Sequence, residues 1–274
     1  MTRILVTGGR GMLGSVLTPR LVSAGYTVRV MSRSARKPGQ LPNVEWAQAD
    51  MATQTGLAEA VKDVDIIVNA ATSAVQKPHQ VDVVGTSKLL ELARAAGVQH
   101  VIHISIIGIE RIPFPYYQHK VAAEQVVRES GVPWSILRAA QFHPFIDLRL
   151  AMLSRFPLVL PVPKDFQTQP IDVGEVAERI VEVVGAPPAG MLPDIAGPEI
   201  LRLGDMVKVW LAAQGKRHPI VPLPLFAAWA DGFRKGYNTD PRARYGKITW
   251  AEWVQGKYGS QPEGHATVRQ EARG

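Results

Sequence analysis

The stretch ILVTGGRGMLG, residues 4–14, decides the fold that we predict for this chain. An apolar run typical of a buried strand breaks into glycines and then continues with a helical pattern. Two glycine registers are present: Gly9, Gly11 and Gly14 form G-x-G-x-x-G, and Gly8, Gly11 and Gly14 form G-x-x-G-x-x-G. Both registers put small residues where a backbone must approach a pyrophosphate, and a helix starting near Gly11 points unpaired N–H groups at the phosphates. We therefore predict a dinucleotide-binding strand–turn–helix unit at the start of the chain.

Length and composition restrict the class of protein. The 274 residues can hold one large α/β domain, or a nucleotide-binding core with a smaller appendage. The chain has no cysteine, which excludes disulfides, thiolate metal sites and a thiol nucleophile. Because it has neither a charged-then-apolar leader nor an apolar run of about 18 residues, we expect a cytoplasmic protein that does not contact membranes.

The charge balance is basic. There are 31 Lys and Arg residues against 24 Asp and Glu, a net charge of +7. A basic chain can bind nucleic acid, but the basic residues here are scattered. The densest group comprises Arg29, Arg33, Arg36 and Lys37, around the end of the second predicted strand. We interpret it as lying beside a phosphate pocket, and we expect no nucleic-acid partner.

Strands and helices alternate after the glycine turn. Apolar runs predict strands at residues 28–31, 44–50, 65–72, 100–105 and 134–138, and helical spacings predict helices that include 79–96 and 116–129. This order is that of a doubly wound parallel sheet. We therefore predict a Rossmann-type α/β fold with a small C-terminal substrate-binding region.

The sequence pattern changes after residue 140, where the predicted elements are shorter. Prolines separate them at positions 144, 157, 161, 163 and 170. Helices are predicted at 173–184, 203–214 and around 226–235, and a strand near 193–196. We divide the chain into an NADP-binding core (1–140), a substrate-binding lid region packed on the core (141–259) and a polar tail (260–274) that we expect to be mobile.

The end of the second strand predicts which dinucleotide is bound. Ser32 and Arg33 stand where an NAD-preferring protein places an acidic residue for the ribose diol. A guanidinium matches a 2′-phosphate in charge and geometry, so we predict NADP (NADPH) and regard NAD as less favoured; a solvated surface arginine is the alternative. Asp50, after the third strand, either meets the adenine or caps the following turn. The residues predicted to bind the cofactor are Gly8, Gly9, Arg10, Gly11, Met12, Leu13, Gly14, Ser32, Arg33, Asp50, Met51, Ala70, Ala71, Thr72, Tyr116 and Lys120.

Tyr116 and Lys120 are the pair to which we assign proton transfer in the reaction. They are four residues apart on a predicted helix and so share a face. A lysine ammonium near a phenol lowers its pKa from about 10, which makes it a usable proton donor or acceptor nearer neutral pH. Ser105, at the carboxyl end of the fifth strand, is placed to hydrogen-bond the same substrate oxygen. Tyr117, three residues before Lys120, is the weaker alternative to Tyr116.

Taken together, these motifs resemble the short-chain dehydrogenase/reductase superfamily, specifically its extended and atypical, NmrA-like members. The resemblance covers residues 1–255 and rests on Thr7, the three spaced glycines, Arg33, Asn69 to Ala71, Ser105, Tyr116, Lys120 and the later stretches 137–143 and 170–177. It implies NAD(P) binding, with Tyr116 as proton donor, Lys120 on the nicotinamide ribose and Ser105 orienting substrate. Ser105 and Tyr116 are eleven residues apart, which is closer than is usual in the superfamily.

Three residues follow the sixth strand in the region expected to face the nicotinamide. We predict that Gln141, Phe142 and His143 bind substrate. His143 is either an acid/base group or a packed, hydrogen-bonded histidine. No histidine has metal-ligand spacing with carboxylates, so we predict no metal.

These patterns predict an NADP-dependent oxidoreductase that transfers hydride to or from a carbonyl, enone or quinone of an apolar small molecule. A nucleotide-sugar epimerase or dehydratase is less favoured, because the sequence offers no obvious clamp for a substrate diphosphate. The competing class is a non-catalytic NmrA-type sensor, which binds NADP and acts through a protein partner. The sequence does not predict the oligomeric state.

Overall fold

A computed structural model describes residues 1–34, 44–156 and 158–259. Arg36, Lys37, Pro157 and the predicted tail from Ser260 lie outside the described residues.

A seven-stranded sheet lies at the centre of the molecule. Its strands are β1 (Arg3–Thr7), β2 (Thr27–Ser32), β3 (Glu45–Gln48), β4 (Ile66–Asn69), β5 (His100–Ile106), β6 (Trp134–Ala139) and β9 (Gly190–Met191). They are parallel and lie in the order β3-β2-β1-β4-β5-β6-β9. The strand order reverses between β1 and β4, where doubly wound folds bind their ligands. The predicted Rossmann-type fold is confirmed.

Helices cover both faces of this sheet. They are α1 (Gly14–Ser23), α2 (Leu57–Val61), a π-helix (His79–Gly85) that continues as α3 (Thr86–Ala95), α4 (Pro115–Glu129) and α6 (Val173–Val184). Side chains of β1 alternate between the faces: Ile4 and Val6 pack in the core with α1 and α6, while Leu5 packs in the core with α2 and α3. A sheet covered on both faces explains why its strands read as nearly continuous apolar runs.

The remaining elements build a second core. They are α5 (His143–Leu153), β7 (Leu160–Val162), β8 (Gln167–Thr168), β10 (Leu201–Arg202), α7 (Leu203–Ala213), β11 (Ile220–Pro222), α8 (Ala228–Arg234) and α9 (Trp250–Tyr258). Buried residues of α5, α7, α9 and β7 form one cluster, centred on Trp210 and Trp250. The predicted boundary at residue 140 does not separate the two cores, because α6 and β9 return to the central sheet.

Several predicted boundaries shift for identifiable reasons. Helix α1 begins at Gly14 rather than Gly11, because a tight turn, closed by Gly11 N–H donating to Gly8 O at 2.7 Å, comes first. The strand predicted near 193–196 is β9, three residues earlier. Its ladder is interrupted by one extra residue, because Leu192 N donates to Ile136 O and Ile195 N, three residues later, donates to Arg138 O, only two residues further along β6. It resumes as a single bridge between Ile195 and Ala139.

Three helices, the short α2 together with α5 and α9, were not predicted. Pro144 was interpreted as a break, but it occupies the first turn of α5, where a proline costs no hydrogen bond. Helix α9 begins with a capping box between Thr249 and Glu252. No helix in the described ranges is both long and apolar enough to cross a bilayer.

Candidate active site

The turn after β1 is shaped by three crowded glycines. Gly8 has a positive φ of 63°, and a Cβ there would lie 3.0 Å from Ala70 O. A Cβ on Gly9 would lie 2.6 Å from a methyl of Val30, and one on Gly14 would lie 2.5 Å from Gly8 O. These positions exclude side chains because the turn packs on itself and on neighbouring strands.

Gly11 completes the pattern on the outer side of the turn. It is exposed, and the start of α1 behind it has no side-chain cap among the described residues. The first N–H groups of a helix need acceptors, and a phosphate is one that this arrangement suits. The turn therefore fits the pyrophosphate of a dinucleotide.

The other predicted cofactor-binding residues of the glycine turn and the third strand differ in which of their atoms a ligand can reach. The side chains of Leu13 and Met51 are 5% and 3% exposed and belong to the two cores of the sheet. Only their backbone is available to a ligand. Arg10 is exposed and Met12 is half-buried, both on the outer side of the turn.

The ends of β1 and β4 are tied together by Thr7. Its hydroxyl donates to Asn69 Oδ1 at 2.8 Å and accepts from the N–H groups of Ala70 and Ala71 at 3.1 and 3.0 Å. Asn69 in turn contacts Thr86 at 3.2 Å. This bonding fixes the small-residue segment Ala70 to Thr72 beside the glycine turn, which is where we predicted cofactor contacts.

At the end of β2, Arg33 is exposed, and its carbonyl accepts from Gln48 Nε2 at 3.3 Å. Ser32 Oγ accepts from Ser34 N at 3.3 Å. Arg29 is engaged elsewhere: it lies 2.8 Å from Glu45 and donates to Ala60 O. Our interpretation of Arg29 as part of the basic group beside a phosphate pocket is therefore wrong.

Asp50 caps the turn that follows β3. Its Oδ1 accepts from Ala52 N at 2.8 Å. This was one of the two alternatives for Asp50; the adenine contact stays a prediction.

Tyr116 belongs to a polar chain that runs from the surface into the protein. Its OH lies 2.6 Å from Thr72 Oγ1, and that hydroxyl donates to Asp82 Oδ1 at 2.6 Å. Lys120 Nζ lies 3.6 Å from the same carboxylate oxygen and donates to Ile104 O at 2.9 Å. Tyr116, by way of Thr72, and Lys120, directly, therefore both reach the carboxylate of Asp82. The four residues are called the Tyr116 chain below.

The pKa of Tyr116 does not shift as the sequence suggested. Burial and the Asp82 carboxylate raise the pKa of the phenol above its ordinary value, and the hydrogen bond with Thr72 offsets only part of this. Burial lowers the pKa of Lys120, against the opposing effect of Asp82. The expected lowering of the Tyr116 pKa is wrong, because burial of the phenol and, after it, the Asp82 carboxylate raise that pKa. The phenol of Tyr116 therefore carries its proton at neutral pH.

Ser105 does not join the Tyr116 chain. It is 2% exposed, and its hydroxyl oxygen has no hydrogen-bond partner among the described residues. In the described part of the chain the hydroxyl that meets Tyr116 is that of Thr72. The substrate-orienting role of Ser105 stays a prediction.

The residues predicted to bind substrate face different surroundings. Gln141 Nε2 donates to Tyr117 OH at 3.0 Å, and Gln141 Oε1 accepts from Thr168 at 3.0 Å. Phe142 is half-buried and pairs with Ile171. The Gln141 amide is therefore held by protein groups.

His143 is fully buried, with its ring 5.7 Å from the rings of both Trp250 and Trp253. Burial lowers the pKa of His143 to about 4. The ring is packed against these aromatic side chains, but neither of its nitrogens has a hydrogen-bond partner in the described ranges, so the packed, hydrogen-bonded histidine is matched only in its packing. The role of His143 in binding substrate stays a prediction. As for metals, the described ranges contain no group of three or more potential ligands.

Sequence reasoning missed Asp82. It was hidden in a helix identified by its apolar residues, yet its side chain is 1% exposed and it contacts Thr72, Ser73 and Lys120. The available signal was a charged residue inside an apolar helical pattern, since buried carboxylates need partners. The identity of those partners depends on the tertiary fold.

Comparison with known proteins agrees with this geometry. A family model described as NAD(P)H-binding matches residues 8–187, which include the glycine turn and the whole Tyr116 chain. The chain belongs to this NAD(P)H-binding family. The predicted membership of the atypical short-chain dehydrogenase/reductase superfamily is thereby confirmed.

Two curated relatives differ in their described roles. The photosystem II assembly factor Ycf39 of Synechocystis sp. is 23% identical over 268 residues, which cover 90% of this chain and 79% of that protein. A (4-alkanoyl-5-oxo-2,5-dihydrofuran-3-yl)methyl phosphate reductase of Streptomyces griseus is 30% identical over 145 residues, 51% of this chain and 48% of that protein. The chain spans about half the length of several curated relatives that it matches.

Among solved structures, the NADPH-dependent quinone oxidoreductase QOR2 of Escherichia coli, complexed with NADPH, superimposes with a TM-score of 0.75. The match covers 93% of this chain and 99% of that one at 16% identity. At this identity the likeness shows the fold.

Proposed function

We propose that this protein is an NADP-dependent oxidoreductase that transfers hydride between the nicotinamide and a carbonyl, enone or quinone of an apolar small molecule, with Tyr116 as general acid. One observation carries the proposal. Gly8 lies against Ala70 and Ala71, and the next residue, Thr72, is hydrogen-bonded to Tyr116 at 2.6 Å. The predicted phosphate-binding turn and the candidate proton donor therefore meet at one strand end.

The protonation of Tyr116 supports the role of an acid. Reduction of a carbonyl delivers hydride to carbon and leaves negative charge on oxygen, which needs a proton. The phenol of Tyr116, whose pKa burial raises above its ordinary value, is protonated at neutral pH and so has a proton to give to that oxygen. The nicotinamide cofactor supplies or accepts the hydride when bound.

Arg33 supports NADP as the cofactor. It is exposed directly after β2, where dinucleotide-binding folds contact the adenosine ribose. A 2′-phosphate gains a charge-assisted hydrogen bond from a guanidinium, whereas a carboxylate would repel it. No acidic residue stands in the Ser32–Arg33–Ser34 segment to favour NAD.

An apolar substrate is supported by the surface of α5, which begins four residues after β6. Leu148 and Met152 are 51% and 49% exposed, and Phe156, four residues further, is 54% exposed. Exposed apolar patches commonly mark binding surfaces. The reductase relative also supports hydride chemistry on a small molecule.

The alternative is a non-catalytic NADP sensor that acts through a protein partner. The similarity to an assembly factor over 90% of this chain favours it. We give it second place because a sensor has no use for a protonated phenol at the strand end.

The test is turnover by the purified protein. Loss of NADPH absorbance should be followed with aldehydes, ketones, enones and quinones of increasing apolar size, with Tyr116→Phe as the matched control. We expect substrate-dependent oxidation of NADPH that the control lacks. If NADPH binds but no compound in the panel is reduced, the sensor becomes the better account.

We also propose a small-molecule substrate and no nucleic-acid partner. A gel shift at about 150 mM salt suppresses non-specific charge binding. A sequence-selective complex with duplex DNA under these conditions would favour a regulator over the enzyme.

A further inference from the structure

We propose that Thr72 and Asp82 form a proton wire behind Tyr116, through which the phenol exchanges its proton with the protein interior during turnover. The inference rests on the proposed function. It assigns Thr72 and Asp82 a part in the reaction by way of Tyr116, so both are positioning residues.

The polarity of the hydrogen bonds gives the wire its direction. A carboxylate only accepts, so the single hydroxyl proton of Thr72 is committed to Asp82 Oδ1 at 2.6 Å. Thr72 Oγ1 must then accept from Tyr116, and the phenol proton points at Thr72 over 2.6 Å. The order is Tyr116 O–H to Thr72 O–H to the Asp82 carboxylate, with each proton aimed at the next acceptor.

The inner end of the wire is sealed and fixed. Asp82 and Lys120 are 1% and 3% exposed. The second oxygen of Asp82 accepts from Ser73 N at 3.1 Å, and Lys120 is anchored by Ile104 O at 2.9 Å. Tyr116, at the outer end, is only half-buried. Thr72 is exposed, so Tyr116 and Thr72 form the accessible outer end of the chain, and Asp82 and Lys120 form its buried end.

The proton step balances in both directions. In alcohol oxidation the substrate carbon gives hydride to NADP+, and the substrate hydroxyl gives its proton to the Tyr116 oxygen. The Tyr116 proton moves to Thr72, and the Thr72 proton moves to Asp82, which becomes a neutral acid beside the Lys120 ammonium. Reduction starts from the neutral Asp82 acid and runs the same hops backwards, with NADPH as hydride donor, so that the Asp82 proton replaces the one that Tyr116 gives to the substrate oxygen. Between turnovers the exposed Thr72 hydroxyl exchanges this proton with water, which returns Asp82 to its starting state in either direction.

A purely structural role for Thr72 predicts something different. Thr72 could serve only to hold Tyr116 in place, and the methyl groups of a valine would then largely preserve its packing. A wire instead requires an oxygen that both accepts and donates. Thr72→Val removes that oxygen at constant shape, and Thr72→Ser restores it.

The matched control is Ser73→Ala. Ser73 is the next residue, and its hydroxyl donates to Gln76 O at 2.6 Å and not to the wire. Its backbone N–H, which binds Asp82, is retained in the variant. Asp82→Asn is less suitable as the main probe, because it leaves Lys120 buried without its counter-ion.

The experiment measures kcat, KM and NADPH affinity of the four proteins in light and heavy water across a pH series. We expect Thr72→Val to lower kcat about 10- to 100-fold, a part of the effect of general acid catalysis, with the KM for substrate within about twofold of the unmodified protein. NADPH is kept saturating, and its affinity is measured so that a lost cofactor contact of Thr72 is separated from the effect on kcat. The solvent isotope effect and the pH profile of kcat of this variant should change, Thr72→Ser should restore both, and Ser73→Ala should match the unmodified protein. A kcat of Thr72→Val within about twofold of the unmodified enzyme overturns the wire while leaving the proposed function intact.

A second readout does not depend on turnover. In protein carrying isotope-labelled tyrosine, the NMR signal of the Tyr116 phenol, assigned with Tyr116→Phe, should move in Thr72→Val and return in Thr72→Ser. An unmoved signal means that the Tyr116–Thr72 hydrogen bond is absent in solution, which overturns the wire whatever the activity. An unmodified protein that turns over no substrate removes the proposed function, and the wire with it.

Discussion

The glycine turn and the Tyr116 chain lie at the same edge of the sheet, but they are built by different means. The turn is set by its backbone: a Cβ on Gly14 would meet Gly8 and Gly9 within seven residues, and one on Gly8 or Gly9 would meet Ala70, directly after β4, or Val30 of β2. The Tyr116 chain is assembled from the segment after β4, the π-helix and α4, and its members are up to 48 residues apart in sequence. The turn is therefore a matter of backbone shape, whereas the chain depends on tertiary contacts between side chains.

This difference has a functional consequence. A region made of backbone can bind a cofactor that is common to many relatives, and it tolerates little change. In a region made of side chains from several elements, single substitutions can change the proton chemistry one residue at a time. Variants in the two regions should accordingly separate cofactor binding from turnover.

The largest expected effect comes from Tyr116→Phe. It removes one hydroxyl but keeps the ring, so turnover should fall by about 10²- to 10⁴-fold while NADPH affinity stays nearly unchanged. Tyr117→Phe is the control, because the Tyr117 hydroxyl contacts Gln141 rather than the Tyr116 chain. If Tyr116→Phe keeps more than about a tenth of the activity, the proton donor is another group.

Gly14→Ala should affect the opposite region. The new Cβ would lie 2.5 Å from backbone atoms of Gly8 and Gly9, which cannot move without opening the turn. We expect a loss of about 1–3 kcal/mol in the free energy of unfolding, as for other overpacked sites, together with weaker NADPH binding. Urea denaturation and calorimetric titration measure the two effects.

The control for Gly14→Ala is Gly256→Ala, in the exposed part of α9, where a Cβ meets nothing within 4 Å. An alanine there should leave NADPH affinity unchanged and, if anything, stabilise the helix. Equal effects of the two substitutions would show that the turn is not crowded in solution.

The same two regions show which features could be predicted from the sequence and which could not. The order of elements, the parallel sheet and the glycine turn followed from patterns within 10 to 20 residues, and they are correct. The pKa of Tyr116 was predicted from its spacing to Lys120 alone. The spacing is right, but the pKa is raised by burial of the phenol and by Asp82, which lies 34 residues before Tyr116 in sequence. Both effects exist only in the folded chain.

The roles of Ser105 and His143 stay predictions for a related reason. The strand that contains Ser105 was inferred correctly, but helix α5, which begins at His143, was not predicted, and burial decides which residues face a ligand. Ser105 is 2% exposed and His143 is fully buried. In a strand with apolar residues on both faces, the sequence pattern does not indicate on which face of the sheet a polar side chain lies.

A smaller effect, in neither region, is expected from His143. With its pKa lowered to about 4 in the folded protein and about 6.5 unfolded, the unfolded chain binds more protons between these values. Stability contributed by this site is therefore lost as the pH falls below about 6.5, by about 2 kcal/mol between pH 7 and about pH 5. His143→Phe should lose that part of the pH dependence of the unfolding free energy. An unchanged slope would assign it to other groups, such as His103, whose pKa burial also lowers.

The central claim is that the carboxyl ends of β1 and β2 bind NADP(H), and a paired titration tests it most directly. NADPH and NADH are titrated into the unmodified protein and into Arg33→Ala. We predict that the unmodified protein prefers NADPH by about 10- to 150-fold, since a charge-assisted phosphate contact contributes about 1.5–3 kcal/mol, and that Arg33→Ala loses this preference while binding NADH as before. Equal affinities in the unmodified protein, or a preference that survives in Arg33→Ala, would contradict the account.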